Sequence, residues 1–147
     1  MASRRKARVL AFQALYSWDV SGRCKKKDAP LDVDFSWLDD KQQKALDEAT
    51  RAFSSLIILG VVDNRKEIDA LIKEHLQNWD IDRLKKVDLA ILRMSVCQLL
   101  YQKDIAPSIV IDEAIKISKE YGDDDSFKFI NGVLDAIKND INKNKVE

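Results

Sequence analysis

The chain has 147 residues, the length of one ordinary domain, and its 46% hydrophobic residues are enough to fill a single core. Four glycines and two prolines among many Leu, Ile, Ala, Lys, Asp and Glu residues predict an all-α fold. The formal net charge is zero, and only two distant cysteines, Cys24 and Cys97, occur, so we expect neither a disulfide nor a structural zinc site.

The first predicted helix is basic. Apolar residues recur at helical spacing from Ala7 to Trp18, which predicts a helix from Ser3, as its N-cap, to Asp19. Residues 1–27 hold eight basic side chains against Asp19 alone, a net charge of +7, so the remaining 120 residues carry −7. Such an asymmetry is expected where one end of a domain meets phosphate groups, although a merely solvated basic end gives the same pattern.

A long connection follows at residues 21–40, where Gly22, Pro30 and the run Lys25 to Lys27 show no helical period. We expect this connection to be mobile. The next helix is predicted from the apolar residues Ala45, Ala49, Ala52, Phe53, Leu56, Leu59 and Gly60, and a third from Ile68, Leu71, Ile72 and His75, with the break near Asn64.

The segment from Val87 to Leu100 is apolar on nearly every side, which predicts a buried central helix. Pro107 and Ser108 open another helix, which Gly122 is predicted to end in a left-handed conformation. Asp123 to Asp125 are predicted to cap the last helix. The apolar stripe of that helix is Phe127, Ile130, Leu134, Ile137 and Ile141.

Neither a leader peptide nor a membrane span is predicted. Gln13 and Asp19 interrupt the apolar residues that follow the basic N-terminus, and no run approaches the roughly 18 apolar residues that a span needs. We therefore expect a cytoplasmic protein.

Catalytic motifs are missing from the sequence. His75 is the single histidine, which excludes catalytic triads and multi-histidine metal centres within one chain, and no phosphate-binding glycine loop or CxxC motif occurs. Asp123 to Asp125 and His75 are interpreted as structural. We therefore predict that the protein is not an enzyme.

Two helices carry residues suited to RNA. Arg5, Arg8, Phe12 and Tyr16 recur at helical spacing in the first helix, where guanidinium groups can neutralise phosphates and rings can stack on bases. The alternative places Phe12 in the core and the arginines in water.

In the last helix, Lys128 and Asn131 share a face with Phe129 close by, and Gly132 interrupts strong helical periodicity. This glycine predicts a close approach to the backbone by RNA or by a neighbouring helix.

Two charged residues interrupt the central apolar helix. Asp88 and Arg93 are too far apart to pair along one helix face, so each needs another partner. Asp88 lies near the start of the helix, where it either stabilises the helix dipole or meets a protein partner.

Motifs over most of the chain resemble the NusB family of transcription antitermination proteins. They occur in family order at residues 4–8, 13–18, 87–93, 104–107, 111–114, 121–122 and 128–135, and they leave out residues 21–40. The most specific are Asp104-Ile105-Ala106-Pro107 and Lys128-Phe129-Ile130-Asn131-Gly132-Val133-Leu134-Asp135.

This resemblance implies a single all-helical domain, residues 1–147, of about six to seven helices in two packed subdomains. It also implies binding to boxA RNA together with the ribosomal protein NusE, and assembly with RNA polymerase to suppress termination, notably in ribosomal RNA operons. No cofactor is implied. By position, the RNA-binding residues are Arg4, Arg5, Lys6, Arg8, Asp125, Lys128, Phe129 and Asn131, and the NusE-binding residues are Tyr16 and Asp88.

Two departures and two alternatives accompany the resemblance. Lys6 keeps the charge but loses the bidentate geometry of an arginine, and the connection carrying Lys25 to Lys27 is longer than usual. Monomer and homodimer both stay open. The alternative functions are an RNA-binding accessory domain related to those of ribosomal RNA cytosine methyltransferases, and a helical protein adaptor without affinity for RNA.

Overall fold

The computed structural model describes residues 3–25, 34–77 and 80–146. Seven α-helices lie in these ranges: α1 (Arg4–Val20), α2 (Asp40–Ala45), α3 (Glu48–Asp63), α4 (Arg65–Glu74), α5 (Lys86–Tyr101), α6 (Pro107–Tyr121) and α7 (Ser126–Val146). Two short 3-10 helices, Arg23–Lys25 and Ile81–Arg83, complete the elements, and no strand occurs in the described ranges. The all-α prediction is confirmed. Lys26, Lys27 and the rest of residues 26–33, in the middle of the predicted mobile connection, lie outside the described residues.

Helix α5 is the centre of the molecule. Every residue from Asp88 to Leu99 is buried, and α5 packs against α1, α3 and α4 as well as against α6 and α7. The helices therefore form two groups that share α5, which confirms the prediction of a central buried helix. Arg93 obtains its partners from other helices, because its Nε and Nη2 atoms each lie 2.9 Å from an oxygen of Asp69.

The start of α1 agrees with the sequence. Ser3 is the N-cap, and its hydroxyl accepts a hydrogen bond from the Lys6 amide at 3.2 Å. The Ser3 amide in turn donates to the Thr50 hydroxyl at 3.1 Å, which ties the basic end of α1 to α3.

The prediction of one helix from Ala45 to Gly60 is wrong. The chain leaves the helical conformation at Leu46, and Asp47 caps a new helix, α3, by accepting a hydrogen bond from the Thr50 amide at 2.7 Å. The predicted apolar stripe also faces outward, since Leu56 and Leu59 are 59% and 47% exposed. The residues that α3 buries are Thr50, Ser54, Ile57, Ile58 and Val61.

Gly122 ends α6, but not in the predicted left-handed conformation. Its backbone is extended, with φ −95° and ψ −175°. A Cβ atom there would lie 2.7 Å from the Ser118 carbonyl oxygen and 2.8 Å from the Ser126 side chain. Glycine is therefore needed for space. The adjoining Asp123 amide donates to the Ser126 hydroxyl at 3.0 Å, while the Asp123 carboxylate accepts a hydrogen bond from Lys85.

The apolar stripe of α7 is shifted from the predicted one. Ile130, Leu134 and Ile137 are buried as predicted and are joined by Val133. Phe127 is only half-buried, with the ammonium nitrogens of Lys119 and Lys128 at 4.8 and 5.8 Å from its ring centroid. Among the described residues, no helix combines the length and the apolar character needed to cross a membrane.

Candidate nucleic-acid interface

The basic end of α1 presents three exposed cations, Arg4, Arg5 and Lys6. The Arg4 guanidinium lies 4.9 Å from the centroid of the Phe53 ring, a cation–π distance. Arg5 forms a 3.5 Å ion pair with Glu120, in which both side chains are about half exposed. Such an exposed pair is weak, so a phosphate group can compete for Arg5.

Arg8 differs from its three neighbours because it is buried, with 3% of the residue exposed. Its Nε donates to the Gln98 side-chain oxygen at 3.3 Å, and its guanidinium lies 5.5 Å from the centroid of Phe53. Burial lowers the pKa of Arg8, while the Glu113 carboxylate raises it. Arg8 and Arg4 thus share one aromatic ring, and only Arg4 reaches the surface.

The aromatic residues of α1 also divide. Phe12 is buried and packs on Tyr121 with 5.3 Å between ring centroids, so the alternative that placed it in the core is correct for this residue. Tyr16 is 37% exposed. Of the four residues on the predicted basic and aromatic face of α1, Arg5 and Tyr16 are therefore the ones that reach solvent.

Tyr16 and Asp88 line one open cavity of about 320 Å³, although they are far apart in sequence. We call it the first cleft, and its other lining residues are Lys85, Lys86, Val87, Tyr121, Gly122 and Asp123. The two residues assigned by resemblance to the protein partner are thus brought together by α1 and the start of α5.

Two further clefts continue from the first. The second, of about 230 Å³, shares Asp88 with the first and adds Asp125 and Phe129. The third, of about 370 Å³, shares Phe129 with the second and adds Lys128 and Gly132. Asn131 is exposed on α7 but does not line any of the three.

Asp88 has an unusual environment between the first two clefts. It is 6% exposed, and its Oδ1 atom has no hydrogen-bond partner among the described residues. Burial raises the pKa of Asp88, whereas a hydrogen bond to Ser126 and the charge of Lys85 lower it. Because a buried carboxylate oxygen without a donor is costly, this atom is suited to receive a hydrogen bond from a bound molecule.

Lys85 was not singled out by the sequence, although it lines both of these clefts. It donates a hydrogen bond to Asp123, and this bond raises the pKa of Lys85. Phe53, whose ring contacts the guanidinium groups of Arg4 and Arg8, was likewise missed because its helical spacing assigned it to the core. Nothing in the spacing distinguishes either residue, since both roles come from contacts between helices.

Gly132 has open space beside it. No described atom outside the local helix backbone lies within 4 Å of the position that a Cβ would occupy. A neighbouring helix is therefore not what requires this glycine. Phe129, one turn earlier, is half-buried against the core and lines both the second and the third cleft.

These features define a small all-helical binding protein, with a basic helix end connected through Arg5, Glu120 and Tyr121 to a row of three clefts. The NusB family model matches residues 5–139. Transcription antitermination protein NusB of Treponema denticola is 52% identical, covering 92% of this chain and 96% of that protein. The Bacillus mycoides protein of the same name is 41% identical, covering 92% and 96%.

Solved structures agree with these relatives. A structure of T. maritima NusB superposes with a TM-score of 0.81 at 35% identity, covering 95% of this chain and 93% of that one. A crystal structure of antitermination factors NusB and NusE in complex with dsRNA gives a TM-score of 0.78 at 30% identity, covering 92% and 96%. The chain belongs to the NusB family.

Proposed function

We propose that the protein is a transcription antitermination factor that binds boxA RNA together with the ribosomal protein NusE. In this role it joins the RNA polymerase antitermination complex in the cytoplasm, notably on ribosomal RNA operons, and catalyses no reaction itself. The supporting observation is that helices distant in sequence bring Tyr16, Asp88, Asp125 and Phe129 into one row of clefts. A related protein has been crystallised with both NusE and RNA.

The residues divide by chemistry. Arg4, Arg5 and Lys6 are exposed cations that neutralise phosphates, while Arg8 holds Phe53 and Gln98 beneath them. A base stacks on Phe129, and the RNA-contacting polar groups are Asp125, Lys128 and Asn131.

The partner site is the first cleft. Tyr16 offers an exposed ring, and the unpartnered Oδ1 of Asp88 accepts a hydrogen bond from a donor on the NusE surface. Tyrosine is common at protein interfaces because one end is apolar and the other is polar.

The test is a titration of fluorescent boxA-like RNA, with a scrambled RNA as reference, in the presence and absence of the NusE-like ribosomal protein. We expect sequence-dependent binding that the partner strengthens. Asp88→Asn should reduce the gain in RNA affinity that the partner causes by at least about tenfold. The affinity for RNA in the absence of the partner should not change. Asp63→Asn, an exposed carboxylate variant outside the three clefts, is the matched control.

The adaptor alternative predicts partner binding with no preference for boxA over scrambled RNA. The methyltransferase-related alternative predicts RNA binding that the ribosomal partner does not change. Either result would contradict the proposed function. The named relatives, matched over more than nine-tenths of their length, favour the antitermination role.

A further inference from the structure

A group of potential metal ligands lies where α4 ends beside α7. Glu74 and His75 come from the end of α4, and Asp140 comes from α7. One ligand atom from each of these three residues lies within 4.8 Å of the others. None of the three belongs to the proposed RNA or NusE contacts, although His75 also lines the third cleft.

The orientation of the His75 ring is fixed by the backbone. Its Nδ1 atom lies 2.9 Å from the Leu71 carbonyl oxygen. A carbonyl oxygen can only accept, so Nδ1 must carry the proton. In the neutral ring, Nε2 then bears a lone pair, as in histidines whose other nitrogen is bound to a backbone carbonyl and which ligate metals through the free one.

That lone pair faces a carboxylate. Nε2 of His75 lies 3.4 Å from Oδ2 of Asp140. Two acceptors that face each other repel unless a positive charge lies between them, either a proton on Nε2 or a metal ion. The distance fits an ion, because two ligands at about 2.1 Å in a tetrahedral site are separated by about 3.4 Å.

We propose that Glu74, His75 and Asp140 bind a divalent transition-metal ion of the Zn²⁺ class, with water as the fourth ligand. One imidazole and two carboxylates suit such an ion, whereas Mg²⁺ and Ca²⁺ prefer oxygen ligands throughout. The His75 side chain is 14% exposed and that of Asp140 is 36% exposed, while Glu74 is at the surface. The ion therefore enters from the Glu74 side.

The bound ion would connect the end of α4 to α7, beside the third cleft. The absence of a second histidine and of a CxxC motif concealed this site from the sequence, because its ligands belong to two helices far apart in the chain. Only the packing of α4 on α7 brings them together.

The experiment is calorimetric titration of Zn²⁺ into the metal-free full-length protein, compared with His75→Gln and Asp140→Asn. We expect one ion per chain. Loss of a residue in the outer shell of a metal site weakens metal affinity by roughly 10- to 100-fold. Loss of either direct ligand should therefore weaken Zn²⁺ binding by at least this factor. Asp140→Asn changes a partly exposed residue, so it keeps the test valid if His75→Gln folds poorly.

Two control variants address other sources of binding. Asp135→Asn removes an exposed carboxylate of the same helix, and Cys24→Ser removes the more accessible thiol. Both should bind Zn²⁺ as the unchanged protein does. As a second readout, the nitrogen resonances of the single histidine should show Zn²⁺ bound to Nε2.

Three results of the titrations would overturn the proposal. They are no stoichiometric binding at micromolar Zn²⁺, an affinity of both ligand variants equal to that of the unchanged protein, and loss of binding in Cys24→Ser. An Nε2 that stays protonated at saturating Zn²⁺ would also reject it, because the pair with Asp140 would then be held by a proton. None of these readouts involves RNA, so they are independent of the proposed antitermination function.

Discussion

Phe129 separates the second cleft from the third while its ring packs partly against the core. The sequence assigned Phe127 to the core, yet the Phe127 ring is half-buried with Lys119 and Lys128 above it. The reason is that buried Ser126 and Val133 turn the inner face of α7 relative to the predicted stripe. A helical period alone gives the spacing of a face, but not which neighbouring residues the tertiary packing selects.

Phe129→Ala is expected to affect both binding and folding. Removal of a base-stacking ring should cost about 1 to 3 kcal/mol in RNA affinity. Because the ring is half-buried, the loss of stability should be about 2 kcal/mol, below the 3 to 5 kcal/mol typical of a fully buried phenylalanine. Urea unfolding and RNA titration of one sample measure the two effects. Phe127→Ala is the control, and an equal loss of RNA affinity in that variant would contradict a specific role for Phe129.

Asp88 should make stability depend on pH. Burial holds its pKa in the folded state above the unfolded value of about 3.9, so the folded protein binds the proton more tightly. The contribution of protonated Asp88 to the free energy of unfolding is therefore fully present below about pH 3.9. It is lost as the pH rises through the pKa of Asp88 in the folded state.

Asp88→Asn removes this dependence. At pH 7 the variant should be more stable than the unchanged protein, and the difference should shrink as the pH falls towards 4. Urea midpoints across this range measure the difference, with Asp63→Asn as the reference for an exposed carboxylate. A difference that grows towards low pH would show that the Asp88 carboxylate is stabilised in its charged form.

Other residues show how far side-chain roles could be predicted. Basic and aromatic spacing correctly identified Arg5 and Tyr16 as exposed, but Arg8 and Phe12 on the same predicted face are buried. Arg8 is drawn inward by Gln98 and by the Phe53 ring, which belong to α5 and α3. Such partners from other helices cannot be read from the spacing of α1.

At the scale of elements, the glycines of two helices differ in whether packing requires them. A Cβ at Gly60 of α3 would lie 2.8 Å from the Cys97 sulfur of α5, so this glycine allows two helices to approach closely. Gly132 of α7 has no such neighbour and lines the third cleft. Glycine at this helical position destabilises the fold by about 1 kcal/mol relative to alanine. No packing contact among the described residues compensates for this loss.

The two alanine substitutions should have opposite effects on stability. Gly132→Ala should stabilise the protein by up to about 1 kcal/mol because alanine favours the helix. Gly60→Ala should destabilise it by about 1 to 3 kcal/mol through overpacking against Cys97. Thermal unfolding of both variants gives the comparison. If RNA approaches the backbone at Gly132, this more stable variant should also bind RNA more weakly, and unchanged affinity would remove the third cleft from the RNA site.

Helix ends were predicted unevenly for similar reasons. The Ser3 cap and the Pro107 start were correct, because a cap or an N-terminal proline acts within a few residues. The break at Leu46 was missed, although Asp47 is a good N-cap residue, because the alanines around it continue a helical period. Gly122 was correctly placed at an end, but its reason is contact with Ser118 and Ser126 rather than a left-handed backbone.

At the scale of the whole molecule, α5 belongs to both helix groups, so its buried residues couple them. A single domain over residues 1–147 stays a prediction, and it implies one cooperative unfolding transition.

The charge of the chain is distributed unevenly. The basic residues at the start of the chain are balanced by acidic residues elsewhere, and a net charge of zero therefore does not oppose local binding of a polyanion.

RNA binding should consequently depend on salt through the basic end of α1. Each phosphate neutralised on single-stranded RNA contributes about 0.7 to the slope of log affinity against log salt. Arg4→Ala with Arg5→Ala should flatten this slope by roughly one to two units without loss of folding, because both side chains are exposed. RNA titrations at several potassium chloride concentrations measure the slope. The matched control replaces Lys66 and Lys103, two exposed cations outside α1 and outside the three clefts, by alanine. An unchanged slope in the double arginine variant, with normal helix content, would show that phosphates do not contact the start of α1.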